Sequence, residues 1–288
     1  MVQSQPAAGP TALRILLGTQ LRRLREARGI TRDEAGHLIR GSESKISRME
    51  LGRVSFKERD VADLLTYYGV EEDDARRAVM DLVDRANEPG WWHRFNDVLP
   101  GWFQAYVGLE ECAERIRTYE VQFVPGLLQT KEYARAVITA GAVGSTPEQI
   151  AHRVDLRLER QRVLEGGGGP MFWAVIDEAA LRRPIGGAEV MRGQLQHLVE
   201  LMSQTNITIQ VMPFSFGGHA AEGGAFSILR FNDPELPDIV YVEQLASALY
   251  LDKRDEVDRY GAVMERLCAV STTPAETVDL LEKIMQEL

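Results

Sequence analysis

The sequence predicts an all-α N-terminal domain of five short helices followed by an α+β C-terminal domain. Apolar residues recur at helical spacing between regularly placed glycines in the first part of the chain, which indicates short packed helices. After residue 100, helical patterns alternate with strand-like apolar runs. The breaker Asn87-Glu88-Pro89-Gly90 lies between the two patterns. We therefore place one domain at residues 10–88 and the other at residues 100–288.

The charge of the chain is divided unevenly between these parts. The 288 residues carry a net charge of −10, yet the first 60 contain 12 Lys and Arg against seven Asp and Glu. The other 228 residues therefore carry −15. A basic module on an acidic body fits a protein whose first domain binds nucleic acid and whose second domain binds something else.

Composition excludes several classes of protein. Two cysteines, Cys112 and Cys268, are too few for a disulfide framework and fit a reducing cytosol. No run approaches the roughly 18 apolar residues that a membrane span needs. Residues 1–10 lack the charged and apolar regions of a secretory signal and are typical of a short disordered arm. We expect a cytoplasmic protein with no membrane partner.

Five helices are predicted in the first domain. Their ranges are about 13–28, 32–38, 43–51, 56–68 and 74–86. Capping side chains begin three of them, namely a Thr31–Glu34 box, Ser42 alone, and a Ser55–Glu58 box. Glycines at positions 29, 41, 52 and 69 break the chain between helices.

The segment from residue 29 to residue 50 predicts two short helices that cross at a sharp angle. Ala35 and Gly36 are small where the helices approach each other. The expected core residues of this segment are Ile30, Leu38, Ile46 and Met49. Since Ile46 and Met49 share one helix face, a polar face remains outside. It comprises Glu43, Ser44, Lys45, Ser47 and Arg48, and its width suits a major groove.

This segment resembles the helix-turn-helix of the phage-repressor-like (Xre) family over about residues 13–70, most closely at Ser47-Arg48-Met49-Glu50-Leu51-Gly52. The resemblance implies that residues 43–51 are the recognition helix, on which Glu43, Ser44 and Arg48 match base-reading positions and Lys45 lies at the edge. Arg32 matches a phosphate-contacting position, and Arg53 and Lys57 can also contact the sugar–phosphate backbone of DNA. The full predicted DNA-binding set is Arg32, Ser42, Glu43, Ser44, Lys45, Ser47, Arg48, Arg53 and Lys57.

Two further residues have a different implied role. Residues that match Arg25 and Glu50 pair across the first and third helices in this family, which would fix the recognition helix without touching bases. The alternative is two independent surface charges. Each polar residue of the reading face has the same kind of alternative, a solvated surface group, and the whole segment can also be a helical bundle with no DNA role.

The second domain carries alternating signals. Helical patterns cover about 109–119, 130–140, 147–165, 189–204, 254–269 and 274–286. Strand-like runs lie at about 171–176, 207–212, 225–230 and 239–242. The order strand, helix, strand over 171–212 predicts a right-handed parallel crossover, and the last two strands are candidates for a hairpin.

A group of short motifs in the second domain is unusual in ordinary folds. The longest runs from Tyr119 to Thr130 and contains the Pro125-Gly126 break. The others are Arg160-Gln161, Asp177-Glu178-Ala179-Ala180-Leu181, Val211-Met212-Pro213-Phe214 and Tyr241-Val242-Glu243. In this order they resemble the actinobacterial regulators with a DUF5753 domain, also called Scr1-type antitoxin-like. The resemblance implies a transcriptional regulator, often encoded beside a small DUF397-type protein.

The sequence offers little for catalysis. The histidines are dispersed, with no second histidine or cysteine at i+3 or i+4, and Gly166–Gly169 lacks the residues that complete a phosphate-binding loop. Asp177 and Glu178 are adjacent and point apart, which favours a helix cap. His219, in the glycine-rich stretch 217–224, is the best single candidate for a ligand or acid–base role. We predict no enzymatic activity, no metal and no cofactor.

Three function classes remain. The first is a DNA-binding regulator, a dimeric repressor controlled through its C-terminal domain by a small basic protein or by a small molecule near residues 217–224. We expect a homodimer on an inverted repeat of double-stranded DNA, since a single module covers one half-site. The second is an antitoxin that sequesters a small DUF397-type protein and autoregulates. The third, an enzyme fused to a DNA-binding module, needs clustered reactive groups that the sequence lacks.

Overall fold

The computed structural model describes residues 9–165, 169–232 and 236–288. Residues 1–8 of the predicted disordered arm, and residues 166–168 of the glycine run, lie outside the described residues. The chain divides into two compact units. The first consists mainly of the chain up to Arg94 together with Gln104–Cys112, and the second of Phe95–Phe103, Ala113–Phe231 and Pro237–Leu288.

The first unit contains the five predicted helices. They are α1 (Pro10–Ala27), α2 (Arg32–Leu38), α3 (Glu43–Glu50), α4 (Glu58–Tyr67) and α5 (Asp73–Asn87). α1 begins earlier than predicted because Pro10 occupies the first turn, where its missing N–H is not needed. The expected Ser55–Glu58 capping box is wrong, since α4 begins at Glu58, directly after Lys57, and has no side-chain cap.

The core of the first unit includes one face of α1 and the inward side of α2. Three leucines of α1, each four residues from the next, are buried, namely Leu13, Leu17 and Leu21. The prediction of Leu38 as a core residue is wrong, because Leu38 is 40% exposed and Ile39 is 7% exposed. Ile39 follows the buried Ala35 by four positions, so it continues the inward face of α2 past the last helical residue.

The elements after residue 100 form an α+β arrangement, as predicted. The helices are α6 (Gly101–Cys112), α7 (Lys131–Gly141), α8 (Pro147–Gln161), α9 (Glu178–Arg182), α10 (Ala188–Leu201), α11 (Arg254–Val270) and α12 (Pro274–Glu287). The strands are β1 (Arg115–Glu120), β2 (Met171–Asp177), β3 (Ile207–Met212), β4 (Phe226–Arg230), β5 (Ile239–Glu243) and β6 (Ala248–Leu251). No helix within the described ranges has the length and apolar character that crossing a membrane requires.

The strands of the described chain form one mixed sheet in the order β3-β2-β1-β4-β5-β6. β1 pairs parallel to β2, and β2 pairs parallel to β3. The other three pairs are antiparallel. The predicted parallel pairing of strands over 171–212 and the predicted pairing of the strands near 225–230 and 239–242 are therefore both confirmed.

The centre of the sheet is the part that the sequence pattern missed. The predicted helix over 109–119 is wrong, because α6 ends at Cys112 and β1 starts at Arg115. Leu109, Ile116 and Tyr119 recur at intervals that fit a helix. The pattern therefore predicted a helix where β1 lies. β1 pairs with strands on both sides, and these long-range hydrogen bonds decide its conformation.

Candidate nucleic-acid interface

The crossing of α2 and α3 depends on small residues. A side chain at Gly36 would place its Cβ 2.8 Å from the carbonyl carbon of Ser42, so only glycine allows this approach. Gly18 of α1 has the same role at the other end of α3, where an added Cβ would lie 2.5 Å from the carbonyl oxygen of Met49. α3 is therefore held at both ends by close backbone contacts.

Side-chain caps begin both helices of this pair, as predicted. Thr31 and Glu34 form a reciprocal capping box at the start of α2. The Ser42 hydroxyl accepts a hydrogen bond from the Lys45 backbone N–H at 3.2 Å, so Ser42 caps α3. These caps satisfy backbone donors that would otherwise lack a partner at the helix starts.

One face of α3 is polar and open to solvent. Ile46 and Met49 are buried, whereas Glu43, Ser44 and Arg48 are exposed and Ser47 is partly exposed. The Arg48 Nε donates a hydrogen bond of 3.3 Å to the Ser44 carbonyl, which directs its side chain along the helix surface. The arrangement presents donors and acceptors on one side of a short helix, the geometry that reading base edges requires.

The Glu50 carboxylate at the end of α3 forms a buried ion pair with Arg25 of α1. The Arg25 Nε lies 2.5 Å from one carboxylate oxygen and its Nη2 lies 3.1 Å from the other. The Glu50 side chain is only 2% exposed. The hydrogen bond to Glu50 raises the pKa of Arg25 above its ordinary value, against the opposing effect of burial. The pair fixes the C-terminal end of α3 on α1.

Arg32 is the third member of this group. Its Nε donates a hydrogen bond of 2.9 Å to Glu50 Oε2, so one carboxylate receives donors from α1 and α2. Arg25 also donates from Nη1 to the Ile30 carbonyl at 2.8 Å. Arg32 therefore helps to orient α3.

Lys45 is engaged within the fold. Its Nζ lies 2.5 Å from Asp60 Oδ2 on α4, and both side chains are partly buried. The other two predicted cations, Arg53 and Lys57, are exposed in the segment between α3 and α4. Gly52 precedes them with φ of 63°, and a Cβ there would lie 2.7 Å from the Ile15 nitrogen, so this segment starts in close contact with α1.

Sequence reasoning did not single out Arg40. The turn between α2 and α3 has its left-handed residue at Arg40, with φ of 52°, and not at Gly41. The glycine beside it was the natural expectation for this conformation. Arg40 is exposed.

In the second unit, His219 lies in a polar cluster at the carboxyl ends of β1 and β2. The Tyr119 hydroxyl lies 3.0 Å from His219 Nε2 and donates to Asp177 Oδ2 at 3.2 Å. Asp177 also caps α9 through the Ala179 N–H, as its sequence context predicts. The Ala221 N–H donates to His219 Nδ1 at 3.3 Å. These contacts attach the glycine-rich stretch to the sheet.

The segment around Pro125 and Gly126 is held by glutamines from distant helices. Gln194 of α10 donates to the Leu128 carbonyl at 2.8 Å and accepts from the Thr130 N–H at 2.7 Å. Gln161 of α8 donates to the carbonyls of Gly126 and Gln129, at 3.0 and 2.7 Å. The motif from Tyr119 to Thr130 is thus a broken stretch of chain whose backbone groups need side-chain partners.

A carboxyl group with an unusual environment ends β1. Burial, together with the nearby Glu243 carboxylate, raises the pKa of Glu120 to about 8, and Arg157 opposes this effect. No group of three or more His, Cys, Asp or Glu side chains suited to a metal ion occurs in the part of the chain that the structure describes.

Comparison with known protein families agrees with this geometry. Residues 16–79 match a family described as a helix-turn-helix domain, and this range contains α2, α3 and their turn. The first unit is therefore a helix-turn-helix domain, which supports a DNA-binding regulator. Residues 103–283, more than half of the chain, match the domain of unknown function DUF5753, and the chain belongs to that family. No curated protein and no solved structure matches the chain.

Proposed function

We propose that this protein is a cytoplasmic, sequence-specific transcriptional regulator that binds double-stranded DNA as a homodimeric repressor. The observation that carries the proposal is α3, whose polar face is open while Glu50 at its end is fixed by Arg25 and Arg32. A helix held in this way presents its side chains in a constant position, which discrimination between bases requires.

Two exposed polar residues of α3, Arg48 and Glu43, have a chemistry suited to a base edge. The Arg48 guanidinium matches the two acceptors of guanine in the major groove. The Glu43 carboxylate can accept from the amino group of cytosine, and at the first turn of α3 it also gains from the helix dipole. Arg53 and Lys57 follow the helix and would contact phosphates, and such contacts set the register of a protein on the duplex.

Dimerisation is proposed from the size of the reading unit. A single module of this kind buries about 600–1,000 Å² against DNA, which is small for selective binding to a genome. Two copies related by a two-fold axis solve this and place their recognition helices about 34–36 Å apart. The expected target is an inverted repeat.

We assign the control of DNA binding to the C-terminal domain. Residues 61–288 carry the negative charge of the chain, so they suit a basic partner such as a small DUF397-type protein. Phe214 and Phe216 are 57% and 45% exposed just before the glycine-rich stretch, and exposed aromatic side chains often mark an interaction surface. A small molecule near residues 217–224 is the other candidate.

The test is selection of bound duplexes from a random pool, combined with genome-wide mapping of the DNA that the full-length protein occupies. We expect one inverted repeat upstream of the regulated genes. Absence of any enriched motif would overturn the proposal. Operator affinity is then measured with and without the product of the adjacent gene, because an effector must bind the free and DNA-bound forms with different affinity. Co-purification without any change in affinity would favour the antitoxin alternative.

A further inference from the structure

The turn between α2 and α3 contains an arginine in an unfavourable backbone conformation. Among the described residues, Arg40 alone combines a side chain with positive φ, at 52°. The left-handed region brings a Cβ too close to the following carbonyl, so glycine or asparagine usually occupies it. An arginine in this conformation costs backbone energy that a glycine would avoid, and such backbone outliers cluster at functional positions.

The adjacent glycine has a different purpose. A Cβ at Gly41 would lie 2.8 Å from Lys45 Cδ, so Gly41 gives room to the stem of that side chain. The stem carries the Lys45 ammonium to Asp60, 2.5 Å away on α4. Lys45 therefore joins α3 to α4, and its charge is already paired with a carboxylate.

The Arg40 side chain is available for a contact with DNA. It is exposed and makes no hydrogen bond or ion pair with any residue that the structure describes. It lies two residues before the cap Ser42, at the end of α3 where recognition helices approach the groove. A guanidinium binds phosphate oxygens in a two-pronged geometry and stays charged at any physiological pH.

We propose that Arg40 binds a DNA phosphate beside the recognition helix, and that Lys45 is a positioning residue that orients α3 through Asp60. This inference rests on the proposed DNA-binding function. The sequence predicted Lys45 as a DNA contact and gave no role to Arg40. This proposal assigns the DNA contact to Arg40 and a positioning role to Lys45.

The first experiment measures binding of full-length protein to its selected duplex over a range of salt concentrations, by fluorescence anisotropy. Arg40→Gly should raise the melting temperature, weaken binding and lower the log–log salt slope by about 0.9, the value for one phosphate. Arg40→Lys should keep the slope. The exposed Arg254, in the second unit, provides the control for net charge, and Arg254→Gln should leave binding unchanged. An unchanged affinity and slope in Arg40→Gly would overturn the phosphate contact.

The second experiment separates positioning from contact at Lys45. Lys45→Met and Asp60→Asn should weaken binding equally, the double variant should be no weaker than either, and the salt slope should stay constant. A slope lowered by about 0.9 in Lys45→Met alone would make Lys45 a phosphate contact and overturn the positioning role. If the unmodified protein binds no duplex in a salt-dependent manner, the proposed function itself fails, which differs from failure of the Arg40 variants alone.

Discussion

Each unit of this protein contains a buried side chain that joins distant segments, but the two side chains differ in charge. In the helix-turn-helix unit, the Glu50 carboxylate receives hydrogen bonds from Arg25 and Arg32. In the sheet unit, the neutral Gln194 amide bonds to the backbone on both sides of Gln129. The difference teaches that the orientation of α3 is fixed by coupled charges, whereas a broken stretch of backbone is fixed by a neutral amide that matches its own polar groups.

The largest effect on stability is expected when the charged anchor, the buried ion pair of Glu50 with Arg25, is broken. Glu50→Ala leaves the buried Arg25 without its main partner and should lower the free energy of unfolding by about 3–5 kcal/mol. Because the partners act as a unit, Arg25→Met combined with Glu50→Ala should cost less than the sum of the single changes. Denaturant unfolding of the full chain measures both quantities.

A matched control distinguishes this anchor from surface charge. Glu26 also contacts Arg25, at 3.4 Å, but its side chain is 51% exposed. Glu26→Gln should therefore cost only about 0–1 kcal/mol. Equal losses for Glu26→Gln and Glu50→Ala, or strict additivity in the double variant, would mean that burial of the pair does not determine its strength.

Removal of the neutral anchor, the Gln194 amide, should give the next largest loss of stability. Gln194→Ala removes the partners of the Thr130 N–H and the Leu128 carbonyl, and each orphaned group costs about 1–3 kcal/mol unless water reaches it. The exposed Gln196 on the same helix is the control, because Gln196→Ala should change stability by less than about 0.5 kcal/mol. A Gln194→Ala variant as stable as this control would show that the Thr130 N–H and the Leu128 carbonyl do not need the Gln194 amide.

The comparison extends to the exposed charges on and just after α3. Arg48→Ala should lose about 1–3 kcal/mol of binding free energy at the preferred site and relax the preference at one base pair. Arg53→Ala should weaken binding to all sequences by a similar factor. Competition binding with single-base variants of the selected duplex measures the difference. Retention of both affinity and preference in Arg48→Ala would place the reading residues elsewhere.

The last effect is a pH dependence, the smallest per pH unit, and it concerns the buried carboxyl group of Glu120 at the end of β1. The pKa of Glu120 is raised to about 8 in the folded protein, above the unfolded value. The folded state therefore holds a proton that the unfolded state has lost, and stability falls as pH rises towards 8, by at most about 1.4 kcal/mol per pH unit. Glu120→Gln should remove this dependence between pH 6 and 8. Identical pH profiles of unfolding for the two proteins would contradict it.

Local signals were sufficient to predict most of the first unit. The Thr31–Glu34 box lies where the pattern placed it, and the apolar residues at helical spacing in the first part of the chain form the buried face of α1. The sequence could not show that Arg40 would take the left-handed position or that Lys45 would reach Asp60, because both depend on how helices meet. The same limit applies to β1 and β6, whose conformation is set by pairing with distant strands.

The burial of the ion pair between Glu50 and Arg25 has a consequence for how the protein would search DNA. Salt ions screen charges in solution but reach a buried pair only weakly. Raising the salt concentration should thus release the protein from phosphates while α3 keeps its orientation. A molecule that leaves one site would arrive at the next with its reading face already formed, so no refolding step would slow its transfer along the duplex.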